Sequence, residues 1–129
     1  MHPVLDSGIP TDVLVVEDDP IIAVDLEDAI LGFGSTRVRT ARTLQQALQL
    51  ITDHAPQFAV LDIGLHGGEK TFAVAERLDV LGIPYCFLTG YGAETNLPGR
   101  FARRPRLIKP YMRDQLLAIL QEQRQRAPS

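Results

Sequence analysis

The sequence predicts an α/β domain in which a βα unit recurs five times, building a doubly wound parallel sheet with helices on both faces. Three observations carry this expectation. Short apolar runs rich in β-branched residues occur at 12–16, 58–61 and 83–88, as strands buried on both faces require. The stretches between them repeat apolar residues at helical spacing. Caps, glycines and prolines stand at the junctions.

Residues 1–10 carry two prolines and a glycine without periodicity and read as a flexible arm, ahead of a domain over 11–124 and a tail at 125–129. Strand one is 12–16. Asp19-Pro20 then supplies an N-cap and a first-turn proline. Ile22, Leu26, Ala29, Ile30 and Phe33 share one face of the following helix, which Gly32 and Gly34 end. Residues 35–41 alternate weakly around Val38, as an edge strand does. Thr43 caps a second helix with Leu44, Ala47, Leu48 and Ile51 on one face. The run 58–61 ends at Asp62, and a glycine-bearing loop at 64–68 leads to a third helix with Phe72, Ala75, Leu78 and Leu81 inward. Strand four, 83–88, ends at Thr89, and strand five, 106–108, ends at Lys109-Pro110. Leu116, Leu117 and Leu120 mark a last helix over about 113–124. The weak step is 90–104, where Pro98, three glycines and few apolar residues predict a short or mobile fourth helix.

At 129 residues the chain makes one domain rather than two. Its one cysteine, Cys86, excludes an internal disulfide framework, suits a reducing cytoplasm and reads as a small core residue. No apolar run approaches the roughly 20 residues of a membrane helix, and no signal-peptide pattern opens the chain. The net charge of -3 conceals a split: residues 1–69 hold 11 acids and 3 bases, residues 70–129 hold 5 acids and 10 bases. Of 13 cationic residues only Lys70 and Lys109 are lysines, and a lysine among arginines suggests a need for a compact point charge. Arg100, Arg103, Arg104, Arg106, Lys109 and Arg113 form a basic run without the aromatic platform or recognition helix of a nucleic-acid binder. It reads as a solvated face or a contact for an acidic protein partner. His2, His54 and His66 lack metal-ligand spacing.

Sites in open parallel sheets form beyond the carboxyl ends of the strands. Four polar elements sit at such ends: Glu17-Asp18-Asp19, Asp62, Thr89 and Lys109. Asp19, next to Pro20, is assigned to capping. Glu17, Asp18 and Asp62 packed together repel, so one of them holds a proton unless a counter-charge is present. A hard divalent cation resolves this, with carboxylates, a backbone carbonyl and waters making an octahedral Mg²⁺ site. Lys109 offsets further negative charge, and the Thr89 hydroxyl can donate to an incoming oxyanion. Such parts suit phosphoryl transfer, with Asp62 as the carboxylate nucleophile.

Val15-Val16-Glu17-Asp18-Asp19-Pro20, Leu61-Asp62, Thr89-Gly90 and Lys109-Pro110, in this order and spacing, resemble the receiver domain of two-component response regulators. The resemblance covers about residues 11–124. It implies a flavodoxin-like fold with strand order 2-1-3-4-5, and a signalling phosphoacceptor rather than an enzyme. Asp62 would take phosphoryl from a histidine kinase phosphohistidine. Asp18 and Asp62 would bind Mg²⁺ directly with the Gly64 carbonyl, and Glu17 through water. Thr89 and Lys109 would contact phosphoryl oxygens, and Lys109-Pro110 would be cis. Gly90 would leave the acyl phosphate open to attack. Pro84-Tyr85-Cys86-Phe87-Leu88-Thr89-Gly90-Tyr91 is also similar to the Pro-Phe-x-Phe-Ala-Thr-Gly-Tyr signature of the FAT GUY receivers, with Tyr85 and Leu88 departing from it. That subgroup implies a kinase of the HWE or a related type.

Two further departures matter. His66 stands where the loop after the acceptor usually has proline, and Arg106 stands where strand five commonly carries the aromatic switch residue coupled to the threonine. Either Tyr91 replaces that coupling or Arg106 pairs with an acid in the 90–104 segment. On the first helix, Ile21, Val24 and Leu31 lie off the core face. They either dock a kinase helix bundle or lie under neighbouring loops. The leading expectation is a stand-alone receiver, monomeric or weakly dimeric, signalling to an unknown downstream protein without nucleic acid or membrane. Alternatives are the receiver end of a hybrid kinase and a pseudo-receiver that only binds a partner. A haloacid-dehalogenase-like phosphatase is disfavoured, because Gly64 stands where that chemistry needs a second Asp.

Overall fold

The computed structural model describes residues 8–65, 70–90 and 97–126. Five parallel strands, β1 (Asp12–Val16), β2 (Arg37–Ala41), β3 (Phe58–Asp62), β4 (Tyr85–Thr89) and β5 (Arg106–Ile108), form one sheet in the order β2-β1-β3-β4-β5. The helices are α1 (Pro20–Phe33), α2 (Leu44–Asp53), α3 (Phe72–Leu81) and α4 (Arg113–Arg126). This is the flavodoxin-like order 2-1-3-4-5 that the receiver resemblance implies. In the crossover from β4 to β5, the described residues form a single 3₁₀ turn, Gly99–Phe101.

Side-chain alternation along the strands divides the core into two layers. Leu14, Val16, Ala59, Leu61, Tyr85 and Phe87 face α2 and α3. Val13, Val15, Phe58, Val60, Cys86, Leu88 and Leu107 face α1 and α4. The three central strands, β1, β3 and β4, are buried along their whole length, which is why they read as continuous apolar runs. Full burial also pushes the Cys86 thiol up to about 12, so it stays protonated as a core group.

Local signals place the helix ends. The Asp19 carboxylate accepts from the N–H groups of Ile21 and Ile22 at 2.9 and 3.3 Å, and Pro20 occupies the first helical position. Asp19→Ala is expected to cost about 1 kcal/mol, read as a lower urea midpoint with an unchanged m-value. Gly34 ends α1 at φ 123, a backbone conformation that favours glycine. Thr43 caps α2 by accepting from the N–H of Gln46 at 3.0 Å.

The structure corrects the sequence reading at three places. Residues 8–10 are not part of a loose arm: Ile9 is 2% exposed in the α1/α4 layer, and the Ser35 hydroxyl donates to the Pro10 carbonyl at 2.6 Å. On α3, Val74 is buried while Leu81 is 45% exposed; the helix ends at Leu81, where Gly82 turns the chain in a left-handed cap. Phe101 is wholly buried, stacked on Phe72 at 5.5 Å and edge-on to Phe87 at 5.9 Å. A stretch that reads as mobile therefore contains a core anchor.

Candidate functional site

All strands being parallel, their carboxyl ends share one rim of the sheet. Register sets the details: Val16 pairs with Leu61, Asp62 with Leu88, and Thr89 with Ile108. Glu17, Asp62, Thr89 and Lys109 thus emerge side by side. The Lys109 N–H donates to the Thr89 carbonyl at 2.7 Å, fixing the last two relative to each other. The Lys109-Pro110 peptide bond is cis, as the sequence resemblance implies.

Glu17, Asp18 and Asp62 each place a carboxylate oxygen within 4.8 Å of the others. Glu17 is 1% exposed and Asp62 6% exposed. The Lys109 ammonium reaches across to Glu17 Oε1 at 3.2 Å and Asp62 Oδ2 at 3.3 Å. Its approach to Glu17 Oε1 is poorly aligned, leaving that buried oxygen without a hydrogen bond. The other carboxylate oxygen, Oε2, accepts from the Asp19 N–H at 3.1 Å. Burial, and then the neighbouring Asp62 carboxyl, push the Glu17 acid up to about 7. One ammonium does not neutralise three clustered carboxylates, and the proton held by Glu17 makes up part of the deficit. The neighbouring carboxylates of Asp62 and Glu17 hold the Lys109 ammonium above its ordinary value, outweighing its partial burial, the largest single influence, which pulls it down.

An all-oxygen donor set, with one buried carboxylate oxygen lacking a hydrogen bond, fits a hard divalent cation. Gly64, two residues beyond Asp62, lies in an antiparallel bridge with Lys70. Thr89 is 8% exposed at the end of β4, and Gly90 after it is open to solvent. Tyr91 lies outside the described residues, as do His66 and residues 91–96 of the segment in which Arg106 was expected to find an acid. Arg106 itself is exposed at the start of β5.

Ile21, Val24 and Leu31 are 80%, 63% and 45% exposed, so the alternative that puts them under neighbouring loops does not hold for the described residues. Beside them a cleft of roughly 390 Å³ is lined by Ile21, Ile22, Asp25, Lys109, Pro110 and Tyr111. Sequence reasoning missed the network at its edge. The Tyr111 hydroxyl donates to Asp25 at 2.6 Å, and Arg113 donates to Asp25 at 2.8 Å and Asp28 at 3.2 Å. These bonds tie α1 to the turn carrying Lys109. An acid on a half-buried helix position was the available signal. Much of the basic run is likewise committed internally: Arg100 pairs with Glu76, and Arg104 with Asp79 at 2.7 Å, while Tyr85 donates to Asp79 at 3.1 Å.

No protein-family model matches the chain. Among solved structures it is similar to SdrG from Sphingomonas melonis Fr1, with 39% identity and a TM-score of 0.79 over 88% of this chain and 96% of that one. It is also similar to the REC domain of the PhyR response regulator from Erythrobacter litoralis, with 25% identity and a TM-score of 0.73, covering 93% of this chain and 95% of that one. Among curated proteins it is 29% identical over 126 residues to the phyllosphere-induced regulator PhyR of Methylorubrum extorquens. The match takes in 92% of this chain but 45% of that protein, so the chain spans about half the length of its curated relative. By its strand order, its acidic rim with the lysine, and these likenesses, the chain belongs to the response-regulator receiver domain family.

Proposed function

We propose that Asp62 accepts a phosphoryl group from the phosphohistidine of a histidine kinase, in a Mg²⁺-dependent phosphorelay whose output is a protein–protein contact. The observation that carries this reading is the convergence of Glu17, Asp18 and Asp62 within 4.8 Å, with Lys109 3.3 Å from Asp62. In the transfer an Asp62 carboxylate oxygen forms the new P–O bond while the P–N bond to the imidazole breaks, and the imidazole nitrogen leaves with the electron pair. Asp18, Asp62 and the Gly64 carbonyl would hold Mg²⁺ directly and Glu17 would do so through water. The cation supplies charge neutralisation of the transferring group. Lys109 and the Thr89 hydroxyl bind phosphoryl oxygens, and Gly90 leaves the acyl phosphate accessible to water or a kinase. The chain is then a signalling domain and not an enzyme in the ordinary sense.

Phosphorylation adds most of a second negative charge to a rim already rich in carboxylates. Thr89 and Lys109 answer by moving toward the new oxygens. The 90–104 segment that joins them reorganises, with Tyr91 or Arg106 completing the coupling in place of the usual aromatic residue. Ile21, Val24 and Leu31, with the adjoining cleft, form the kinase-docking face. The likeness of 84–91 to the FAT GUY signature supports a kinase of the HWE or a related type. The single cysteine, Cys86, suits the cytoplasm, and the proposed receiver is monomeric or weakly dimeric. Among the described residues no helix is long and apolar enough to cross a membrane.

Phosphotransfer from a panel of source-organism kinases tests the reading. Label should reach the wild-type chain with Mg²⁺ present and fall at least about a hundredfold for Asp62→Asn. Equal label on the Asn variant would sink the Asp62 assignment. A chain that takes neither label nor beryllofluoride with Mg²⁺ would instead be an interaction module of the pseudo-receiver kind.

A further inference from the structure

Lys70 is exposed, as a solvated surface lysine would be. Its side chain does something else. The Thr71 N–H donates to the Ile63 carbonyl at 3.0 Å, and Gly64 pairs with Lys70, so the loop after β3 folds back on the strand that carries Asp62. The Lys70 Nζ lies 3.6 Å from where a Cβ on Gly64 would stand. The ammonium therefore lies at van der Waals distance from the place where a Gly64 side chain would begin, two residues beyond Asp62. An exposed lysine ordinarily extends its charge into water; this one is turned back over the glycine.

We propose that Lys70 is a second cationic group of the phosphoryl site, acting across Gly64, an inference that rests on Asp62 being the phosphoacceptor. Charge balance supports it. Phosphorylation replaces the single charge of Asp62 by about two. Once a divalent cation has displaced the proton that Glu17 holds in the metal-free protein, Glu17, Asp18 and phosphorylated Asp62 would carry about four negative charges around Lys109 and the cation. Lys70 adds positive charge from the Gly64 side, as the Arg42 guanidinium does where it donates to the Asp18 carbonyl at 3.4 Å. Both lysines of the chain thus come to one end of the sheet, Lys109 from β5 and Lys70 from the loop after β3. A compact ammonium suits a site where charge, rather than a planar fork, is needed. Gly64 is the complement of this arrangement, because a large side chain there would displace the ammonium.

The test titrates Lys70→Met with Mg²⁺ alone and then with beryllofluoride at saturating Mg²⁺, followed by calorimetry or amide chemical shifts. Loss of a nearby cation should weaken the anion about three- to tenfold at low ionic strength, and tighten Mg²⁺ by about twofold. The anion effect should shrink in about 0.5 M salt, and Lys70→Arg should retain most of the wild-type affinity. Opposite shifts for cation and anion are a signature that a loosened loop does not produce. Unchanged anion affinity in Lys70→Met, or a parallel loss of both ligands, would overturn the proposal. Failure of the wild type to bind beryllofluoride at all would overturn the phosphoacceptor reading and this inference with it. Binding by the wild type with no effect at Lys70 would remove only the inference.

Discussion

Phe101→Ala will lower the unfolding free energy by about 3–5 kcal/mol, and with it the melting temperature by roughly 10–20 °C. The side chain has no exposed surface, stacks on Phe72 at an interplanar angle of 20°, and meets Phe87 at 71°. The Arg100 guanidinium lies 4.8 Å above its ring. Truncation leaves a cavity between α3 and β4 that neither rigid element can close. The ion pairs of Arg100 with Glu76 and Arg104 with Asp79, which hold the same turn against α3, are partly exposed and add little on their own. Phe101→Leu, which keeps most of the volume, should lose less than half as much. Equilibrium urea unfolding measures both variants. A loss below about 1 kcal/mol for the alanine variant would mean that the turn is as loose as its composition suggests.

In metal-free protein, stability should fall as pH rises from about 4.5 to about 7, the interval between the ordinary and the folded pKa of Glu17. Across this window the folded state keeps a proton that the unfolded chain has released, so folding weakens as protons become scarce. The full effect is on the order of 3 kcal/mol and levels off above the folded pKa. The Asp62 carboxyl in the same cluster adds to the rise that burial gives Glu17. Glu17→Gln should flatten the profile. Saturating Mg²⁺ should do so too, because a cation binds the ionised carboxylates and stabilises the folded state most where they are ionised. Urea midpoints at pH 5, 6, 7 and 8, with chelator and with Mg²⁺, give the comparison. A metal-free profile that rises with pH over this range would show that the cluster is not held protonated.

Both expectations rest on features that the sequence does not display. Strand ends are legible because they are local. Asp62 and Thr89 follow apolar runs, and a chain that makes parallel strands must bring those ends to one rim, so the acidic cluster and Lys109 could be anticipated together. The cap at Asp19 and the stop at Gly34 are equally local, each set by one or two residues. Phe101 is different. It stands in a polar, glycine-rich stretch without periodicity, and its burial depends on Phe72 from α3 and Phe87 from β4. Leu81 fails in the opposite sense: it keeps helical spacing with Leu78, but it is the last residue of α3 and stands exposed.

Charge partners follow the same division. The arginines at 100 and 104 read as part of a free basic face, yet they meet acids on α3 that lie 24 and 25 positions earlier. Arg113 finds Asp25 at a separation of 88. Sequence alone determined the number and order of the strands, the polar residues that stand at their ends, and the family they resemble, because hydrophobic period, capping and turn chemistry act over a few residues. The tertiary structure decided which carboxyl holds a proton, which arginines are paired, that Phe101 is core, and where the Lys70 ammonium points. Each of these depends on burial and on neighbours brought together only when distant segments pack.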